Sequence, residues 1–194
     1  MKIILASASP RRREILENLG IEFEIKISNA DETCDIKNPC ELVCELSRRK
    51  AQATADMLKE SRTLSDDTLI IGSDSVVYCG GKILGKPENR QNAFEMLTSL
   101  SGSTHSVISG LCLIYGDKVI TDFEKTDVFF DEISDKEIND YVASGECDDK
   151  AGAYAIQGKA SKWIKGINGC YFNVVGLPVH LLYKMAKENG IEVF

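Results

Sequence analysis

The sequence predicts an α/β fold, a mixed and twisted sheet with flanking helices. Short runs of apolar and β-branched residues alternate with segments whose apolar residues recur at helical spacing. Two turn signals between apolar runs indicate that part of the sheet is antiparallel. The 194 residues are 43% hydrophobic, which suffices for one well-filled core and does not require a second. We therefore expect residues 1–194 to form a single domain.

The first part of the chain predicts a β-α-β opening and a long helix. KIILAS is typical of a buried strand, PRRREILENLG of a helix that ends at Gly20, and FEIKI of a second strand. A longer helix is expected over residues 39–58. Its apolar stripe, which a lysine interrupts, consists of Val43, Leu46, Lys50, Ala53 and Met57.

Strands and turns dominate the middle of the chain. After the polar loop ESRTLSDD, the segments TLIIGSD and SVVY are strand-like, and Gly80-Gly81 forms a two-residue hairpin turn before KILG. A second, longer hairpin is expected from THSVISGLCLIY and KVITDFEKTDVFF, which Gly116-Asp117 connects.

Three further helices are expected. NRQNAFEMLTSLSG forms a helix that ends at Gly102, and Ser134 with Glu137 forms a capping box that begins another. A Gly-rich segment, KAGAYAIQGKASKWIKGINGCY, precedes a last helix over residues 178–188.

The composition excludes several classes of protein. A formal net charge of −7 argues against a general binder of nucleic acid or of acidic membranes, because those partners attract basic surfaces. No segment has the length of a membrane span, and the run KIILA is too short for a secretory signal. The seven cysteines contain no C-x-x-C pair, and two histidines are too few for an ordinary structural zinc site. Free thiols and a cytoplasmic location are therefore expected.

The stretch SASPRRR places a basic cluster at the start of the first helix. Ser9 and Pro10 signal a helix start, and the three arginines that follow occupy the first turn, where carboxylates would be the stabilising choice. Serine hydroxyls, a helix N-terminus and guanidinium groups all bind phosphate. The alternative is a solvated basic turn paired with surface carboxylates, and the residues alone leave both interpretations open.

Acidic residues suggest a second functional feature. Asp74 in IIGSDSVV is predicted at the end of an apolar strand, where an open α/β sheet usually places functional groups. It would act as a metal ligand or as the base that activates a water molecule, unless it only caps a turn or bonds Ser75. Asp31 and Glu32 in ISNADET are loop carboxylates, which on their own indicate no more than a solvated surface.

Three lysines add positive charge that a phosphate site could use. Lys50 interrupts a helical stripe, Lys86 lies in LGKPE beyond a hairpin, and Lys150 precedes AGAYAIQG. Each alone is more typical of a surface lysine, but together with the arginines they offer the several charges that a polyphosphate needs. His105 is expected to be structural, because no G-x-S-x-G nucleophile motif accompanies it.

Eight segments, taken in order, resemble the Maf family of nucleotide pyrophosphatases. They extend from residue 3 to about residue 185 and comprise SASPRRREIL, ISNADE, ELSRRKA, GSDSVV, GKPE, LTSLSGSTHSV, DKAGAYAIQG and INGCYFNVVGLP. The resemblance implies an α/β fold related to the inosine triphosphate pyrophosphatases, with two lobes about a cleft. It also implies hydrolysis of a nucleoside triphosphate to the monophosphate and pyrophosphate, assisted by a divalent metal such as magnesium or manganese.

The resemblance further implies roles for single residues. Asp74 matches the proton acceptor and a metal ligand, and Glu32 matches a second metal-site carboxylate. The expected substrate-binding residues are Ser7, Ser9, Arg11, Arg12, Lys50, Ser75, Lys86, Lys150 and Gln157. Three of them, Arg11, Ser75 and Gln157, match positions for substrate selection.

Gln157 favours the branch of the family that hydrolyses dTTP and UTP, because the sister branch for 7-methyl-GTP carries glutamate there. Modified pyrimidine nucleotides are further candidate substrates. Two alternatives stay open, a pyrophosphatase for 7-methyl-GTP or other non-standard nucleotides, and a nucleotide-binding regulator of cell division and septum formation. The expected partner is a nucleoside triphosphate, with no nucleic acid and no membrane, and a homodimer is left open.

Two departures from the family pattern touch the expected site. Ser73 replaces a small apolar residue. Ala155 replaces a glycine, which would be unfavourable if the backbone there has a positive φ.

Overall fold

The computed structural model describes residues 1–194 as a mixed α/β protein. The strands are β1 (Lys2–Leu5), β2 (Glu24–Ile25), β3 (Thr68–Cys79), β4 (Lys82–Leu84), β5 (Thr104–Tyr115), β6 (Lys118–Phe130) and β7 (Ile164–Asn168). The helices are α1 (Pro10–Asn18), α2 (Pro39–Glu60), α3 (Arg90–Leu100), α4 (Asp135–Ala143), α5 (Tyr171–Val175) and α6 (Val179–Glu188), and two 3₁₀ helices span Ala151–Ala153 and Lys159–Trp163. No helix combines the length and the hydropathy needed to cross a membrane.

All the strands belong to one mixed sheet. Its order is β2-β1-β3-β5-β6-β7, and β4 pairs with β3 beside this path. β1 is parallel to β2 and to β3, whereas β4 is antiparallel to β3 and β7 is antiparallel to β6. The predicted fold class is confirmed. β2 is shorter than FEIKI predicts, because only Glu24 and Ile25 pair with β1.

Contacts between residues divide the chain into two compact units. The first unit comprises Met1–Asp74, Ser109–Glu124 and Gly176–Phe194, and the second comprises Ser75–Ile108 and Lys125–Val175. Each unit contains its own buried apolar cluster. The cleft that the family resemblance implies stays a prediction.

Helix α2 lies directly on the sheet of the first unit because two glycines leave room for it. A Cβ atom at Gly72 in β3 would collide with the carbonyl oxygen of Ser47, and one at Gly110 in β5 would collide with that of Val43. Neither strand position can therefore carry a side chain without displacing the helix.

The face of α2 that is buried is rotated from the predicted stripe. Its buried residues are Val43, Leu46, Ser47, Ala51, Thr54, Ala55 and Leu58. Lys50, Ala53 and Met57 were predicted within the stripe, but they lie at its edge and are half-buried. The close contacts at the two glycines explain the rotation, because they turn Val43 and Ser47 toward the sheet.

Strand β3 joins the predicted segments TLIIGSD and SVVY into one strand, so Asp74 lies inside it and not at a strand end as predicted. The parallel pairing with β1 stops at Leu5 and Ile71. The strand continues beyond Asp74 because its second half pairs with β4, and Gly80 and Gly81 form the predicted turn with φ of 55° and 81°. Asp74 thus lies just beyond the point where β1 ends beside it, while β3 itself continues to Cys79.

The predicted C-terminal ends of two helices and the predicted start of a third are confirmed. Gly20 and Gly102 follow α1 and α3 with left-handed φ of 70° and 65°. Ser134 and Glu137 form a complete capping box at the start of α4.

An aromatic cluster in the second unit surrounds His105. Its ring packs edge-on against Phe130 and Tyr154, with centroids 4.8 and 5.3 Å apart, and its Nε2 atom lies 2.7 Å from the Tyr154 hydroxyl. Burial lowers the pKa of His105 to about 4, and the charge of Asp127 opposes this shift. The histidine is thus a neutral part of the core, which supports its predicted structural role.

The free energy of unfolding should fall as the pH drops from about 6.5 toward 4, because His105 binds a proton in the unfolded chain but not in the folded core. The difference in pKa predicts a loss of about 2 kcal/mol between about pH 7 and pH 5. Urea unfolding at the two pH values measures it. His105→Gln should remove this part of the pH dependence, whereas the control His180→Gln, at an exposed histidine, should keep it. Equal pH dependence in both variants would contradict the assignment.

Ser73→Ala should raise the free energy of unfolding by about 1 kcal/mol, because an unpaired buried hydroxyl is costly. Ser73 is completely buried in β3, and its hydroxyl has no hydrogen-bond partner. Urea unfolding measures the change. Ser47→Ala is the matched control, since Ser47 is equally buried but its hydroxyl donates to the Cys44 carbonyl at 2.8 Å. If both variants lose stability equally, the Ser73 hydroxyl is satisfied in solution.

Candidate active site

Lys50 joins the two carboxylates to which the family resemblance assigns catalysis and metal binding. Its Nζ atom donates to Oδ1 of Asp74 at 2.6 Å and lies 3.2 Å from Oε1 of Glu32. Side-chain exposure is 18% for Lys50 and 13% for Asp74, but 62% for Glu32. The structure thus brings three predicted site residues together within the first unit.

The packing of α2 on β3 places Lys50 opposite Asp74. Gly72 lies against Ser47, and Asp74 is two residues further along the same face of the strand. Lys50 is three residues beyond Ser47 and therefore lies on the same side of the helix. The lysine at the edge of the buried face can then reach the carboxylate in the strand.

Arg12 connects three segments of the first unit. Its Nε atom donates to the Gly176 carbonyl at 2.9 Å, and its Nη1 atom donates to the Ser7 hydroxyl at 3.0 Å and to the Ser73 carbonyl at 2.6 Å. Burial lowers the pKa of this guanidinium, while nearby carboxylates, Asp74 foremost, raise it. Arg12 thus holds the backbone next to Asp74 in addition to any ligand it binds.

The other arginines of SASPRRR have different surroundings. Arg11 is half-buried, whereas Arg13 is exposed and lies 3.5 Å from Glu17. Arg13 therefore forms the solvated surface pair that was one of the two interpretations of this stretch. The basic turn divides into one surface arginine, one half-buried arginine and one buried arginine.

Ser9 begins α1, but the cap predicted from its side chain is wrong. The side chain makes no capping hydrogen bond. The hydroxyl of Ser7 organises this turn instead, because it accepts hydrogen bonds from the Ser9 backbone N–H at 3.2 Å and from Arg12 at 3.0 Å.

Arg49 holds the loop that carries Glu32, a role that the sequence analysis missed. Its Nη1 atom donates to the carbonyl groups of Asp31 and Thr33, at 3.1 and 2.8 Å, on either side of Glu32. Its Nε atom donates to Glu45 at 2.7 Å. The four-residue spacing of Glu45 and Arg49 on a helix predicts that pair, but nothing in the sequence indicates the loop carbonyls.

Asp74 and Glu32 form an oxygen donor set that suits magnesium or manganese. Both carboxylates converge on one cation, the Lys50 ammonium group, so the structure already places positive charge between them. No cluster of three or more His, Cys, Asp or Glu side chains is arranged to hold a metal ion. Mg²⁺ does not need one, because it commonly uses one or two carboxylates together with substrate phosphates and water. The pair therefore fits the metal that the family resemblance implies.

The remaining predicted substrate ligands belong to the second unit. Ser75 is half-buried, and Lys86 and Gln157 are exposed. Only 13% of the Lys150 side chain is exposed, and its Nζ atom lies 2.5 Å from Oδ1 of Asp149. The roles of these residues in substrate binding stay predictions.

The Gly-rich segment before Gln157 has an unusual backbone, but not at Ala155. Gly152 and Ala153 have left-handed φ of 66° and 61°, and the only other non-glycine residue with positive φ is Arg62. The alanine at position 155 is therefore compatible with its backbone, and the strain lies at Ala153.

Comparison with known proteins agrees with the resemblance. A family model described as Maf-like protein matches residues 2–189. A protein of Clostridium perfringens (strain ATCC 13124) named dTTP/UTP pyrophosphatase is 49% identical over 197 residues, which cover 100% of both chains. Proteins with the same name from Thermoanaerobacter sp. (strain X514) and Bacillus anthracis are each 45% identical to this chain. The alignments cover 97% and 99% of this chain, respectively, and 97% of each relative.

Among solved structures, the Ham1 protein of Staphylococcus aureus can be superposed on part of this chain. The superposition covers 70% of this chain and 73% of the Ham1 chain, with 13% sequence identity and a TM-score of 0.42. The family itself is established by the match over residues 2–189 and by the full-length relatives. The chain belongs to the Maf family.

Proposed function

We propose that this protein is a dTTP/UTP pyrophosphatase, a hydrolase that converts these triphosphates to the monophosphate and pyrophosphate. The contact of Lys50 with Asp74 and Glu32 carries the proposal, because it assembles a base, a cation and a second carboxylate at one place. The full-length relatives that bear this name support the choice of substrate. We further propose that residues 1–194 work as a single catalytic domain.

Asp74 acts as the general base. Hydrolysis of a phosphoanhydride needs a positioned water molecule, neutralised phosphate oxygens and a leaving group that can depart with its charge. The Asp74 carboxylate is 13% exposed and keeps one oxygen against Lys50, so its orientation is fixed. It orients the attacking water and accepts its proton.

The cationic and hydroxyl side chains bind the triphosphate. Lys50 neutralises charge next to the base, and Arg11 and Arg12 act from the first turn of α1. The Arg12 guanidinium also keeps its bonds to the Ser73 and Gly176 carbonyls, which hold it in place. The other ligands that we propose for the substrate are Ser7, Ser9, Lys86 and Lys150.

Glu32 and Asp74 would hold a divalent cation, Mg²⁺ or Mn²⁺. The ion supplies charge neutralisation for the phosphate oxygens when it is bound. Arg49 keeps the Glu32 carboxylate available by fixing the carbonyl groups on both sides of it.

Gln157, together with Arg11 and Ser75, selects the base. A glutamine amide both donates and accepts, and thymine and uracil present carbonyl acceptors beside an N–H donor. A glutamate could only accept. We place the reaction in the cytoplasm, with the free nucleotide as the partner.

Asp74→Asn should keep the fold and nucleotide binding but lower turnover by about a hundredfold or more, because the amide cannot accept the proton. Pyrophosphate release with dTTP and saturating Mg²⁺ measures turnover, and calorimetric titration measures binding. Asp56→Asn, at an exposed carboxylate of α2, is the control and should be active. Near-wild-type hydrolysis by Asp74→Asn would remove Asp74 from the mechanism.

Gln157→Glu should lower kcat/KM for dTTP and UTP by roughly tenfold to a hundredfold, because a carboxylate would face a base carbonyl. Activity should shift toward guanine-type substrates, whose adjacent N–H donors suit a carboxylate. The measurement compares dTTP, UTP, CTP and 7-methyl-GTP. Gln91→Glu, at an exposed glutamine of α3, is the control for the added charge. An undiminished pyrimidine preference in Gln157→Glu would show that this residue does not contact the base.

A further inference from the structure

Glu146 lies in the turn after α4, and its carboxylate holds a distant segment of the second unit. Oε1 accepts hydrogen bonds from the backbone N–H of Lys159 at 2.8 Å and from the Tyr141 hydroxyl at 3.2 Å. Lys159 is 13 residues further along the chain. The carboxylate therefore connects the turn after α4 to the backbone that follows Gln157.

Gly158 is shaped by the same carboxylate. A Cβ atom at this position would collide with Oε1 of Glu146 and would lie 2.6 Å from its Cδ atom. The φ of Gly158 is −104°, which any residue can adopt, so a side chain at this position would be opposed by the Glu146 carboxylate and not by the backbone angle. The backbone at residue 158 thus lies in direct contact with the Glu146 side chain.

Gln157 lies within a turn that these contacts fix. The Gly158 N–H donates to the Ala155 carbonyl at 3.2 Å, and the Ser161 N–H donates to the Gly158 carbonyl at 3.0 Å. The Gln157 side chain itself is exposed. The direction in which the Gln157 side chain points therefore depends on the surrounding backbone, which Glu146 holds from one side.

The Glu146 carboxylate has a rigid support. Tyr141 is 4% exposed, and its ring packs edge-on against Trp163 with centroids 5.1 Å apart. The Trp163 Nε1 atom lies 3.4 Å from Glu137, the residue of the capping box. Burial raises the pKa of the Tyr141 hydroxyl, which keeps it protonated as a donor to Glu146.

We propose that Glu146 is a positioning residue for base selection, which acts through the Gly158–Lys159 backbone to aim the Gln157 amide at the base. This inference rests on the proposed role of Gln157. A preorganised amide loses less conformational freedom when the nucleotide binds, and it discriminates better because its donor and acceptor arrive in a fixed orientation.

The test compares Glu146→Ala, Glu146→Gln and the control Asp140→Ala. Asp140 is an exposed carboxylate of α4 that pairs with Lys136 on the helix surface, 2.7 Å away. Glu146→Ala should reduce the preference for dTTP over CTP by roughly tenfold, mainly through KM. Glu146→Gln should lose less of this preference, because the oxygen of its amide can still accept the hydrogen bond from the Lys159 N–H. Asp140→Ala should keep the wild-type preference.

Hydrogen exchange of the backbone around residue 158 gives a readout besides activity. In Glu146→Ala, the backbone amides around residue 158 should exchange faster than in the wild type, while those of α3 and β5 stay protected. Protection of α3 and β5 also shows that the variant is folded. Unchanged exchange and unchanged preference would overturn the proposal. So would faster exchange without any loss of preference, since Glu146 would then be merely structural.

A double-mutant cycle with Gln157→Ala separates this inference from the proposed function. If Glu146 acts through Gln157, adding Glu146→Ala to Gln157→Ala should not lower the preference further. Additive losses would overturn the inference but leave the proposed role of Gln157 intact. If Gln157→Ala alone keeps the dTTP preference, both the proposed base selection and the role of Glu146 are wrong.

Discussion

The close approach of α2 to the sheet at Gly72 is the contact on which the candidate site depends. With no Cβ atom at that position, the Ser47 carbonyl rests on β3, and the next turn of the helix brings Lys50 to Asp74. Any larger residue at 72 would lift the helix and lengthen the 2.6 Å contact between the ammonium and the carboxylate. The absence of a side chain at residue 72 is thus a condition for the contact between Lys50 and Asp74.

The arginine side chains of the first unit are positioned by hydrogen bonds to backbone carbonyl groups as much as by contacts with carboxylates. Arg12 donates to two carbonyl groups, and Arg49 donates to two more. A guanidinium can serve in this way because its five donors leave some for structure while the positive charge still acts on nearby anions. Arg12 can therefore hold the turn beside Asp74 and still provide the positive charge that we propose for binding the triphosphate.

Local patterns predicted most of the fold, because hairpin turns, the capping box and the helix periodicities are encoded within a few residues. Lys50 stood out in the sequence because it interrupts an apolar stripe, although the face that is buried is rotated from the stripe. The prediction that Asp74 ends a strand was wrong, because TLIIGSD and SVVY form one continuous strand whose second half pairs with β4. Arg49 and Glu146 were missed for one reason. The contacts by which they hold distant segments are with backbone groups, and nearly every residue type carries those groups.

The hydrogen bond from Arg12 to the Gly176 carbonyl spans 164 residues and has a consequence for the order of folding. The first unit includes Gly176–Phe194, whereas every residue of the second unit precedes Gly176. A contact between residues so far apart in sequence closes a long loop, and the conformational entropy of loop closure makes such contacts form more slowly than local turns and hairpins. The arginine beside Asp74 therefore gains this acceptor only after distant segments of the first unit have met, which places completion of its surroundings late in folding.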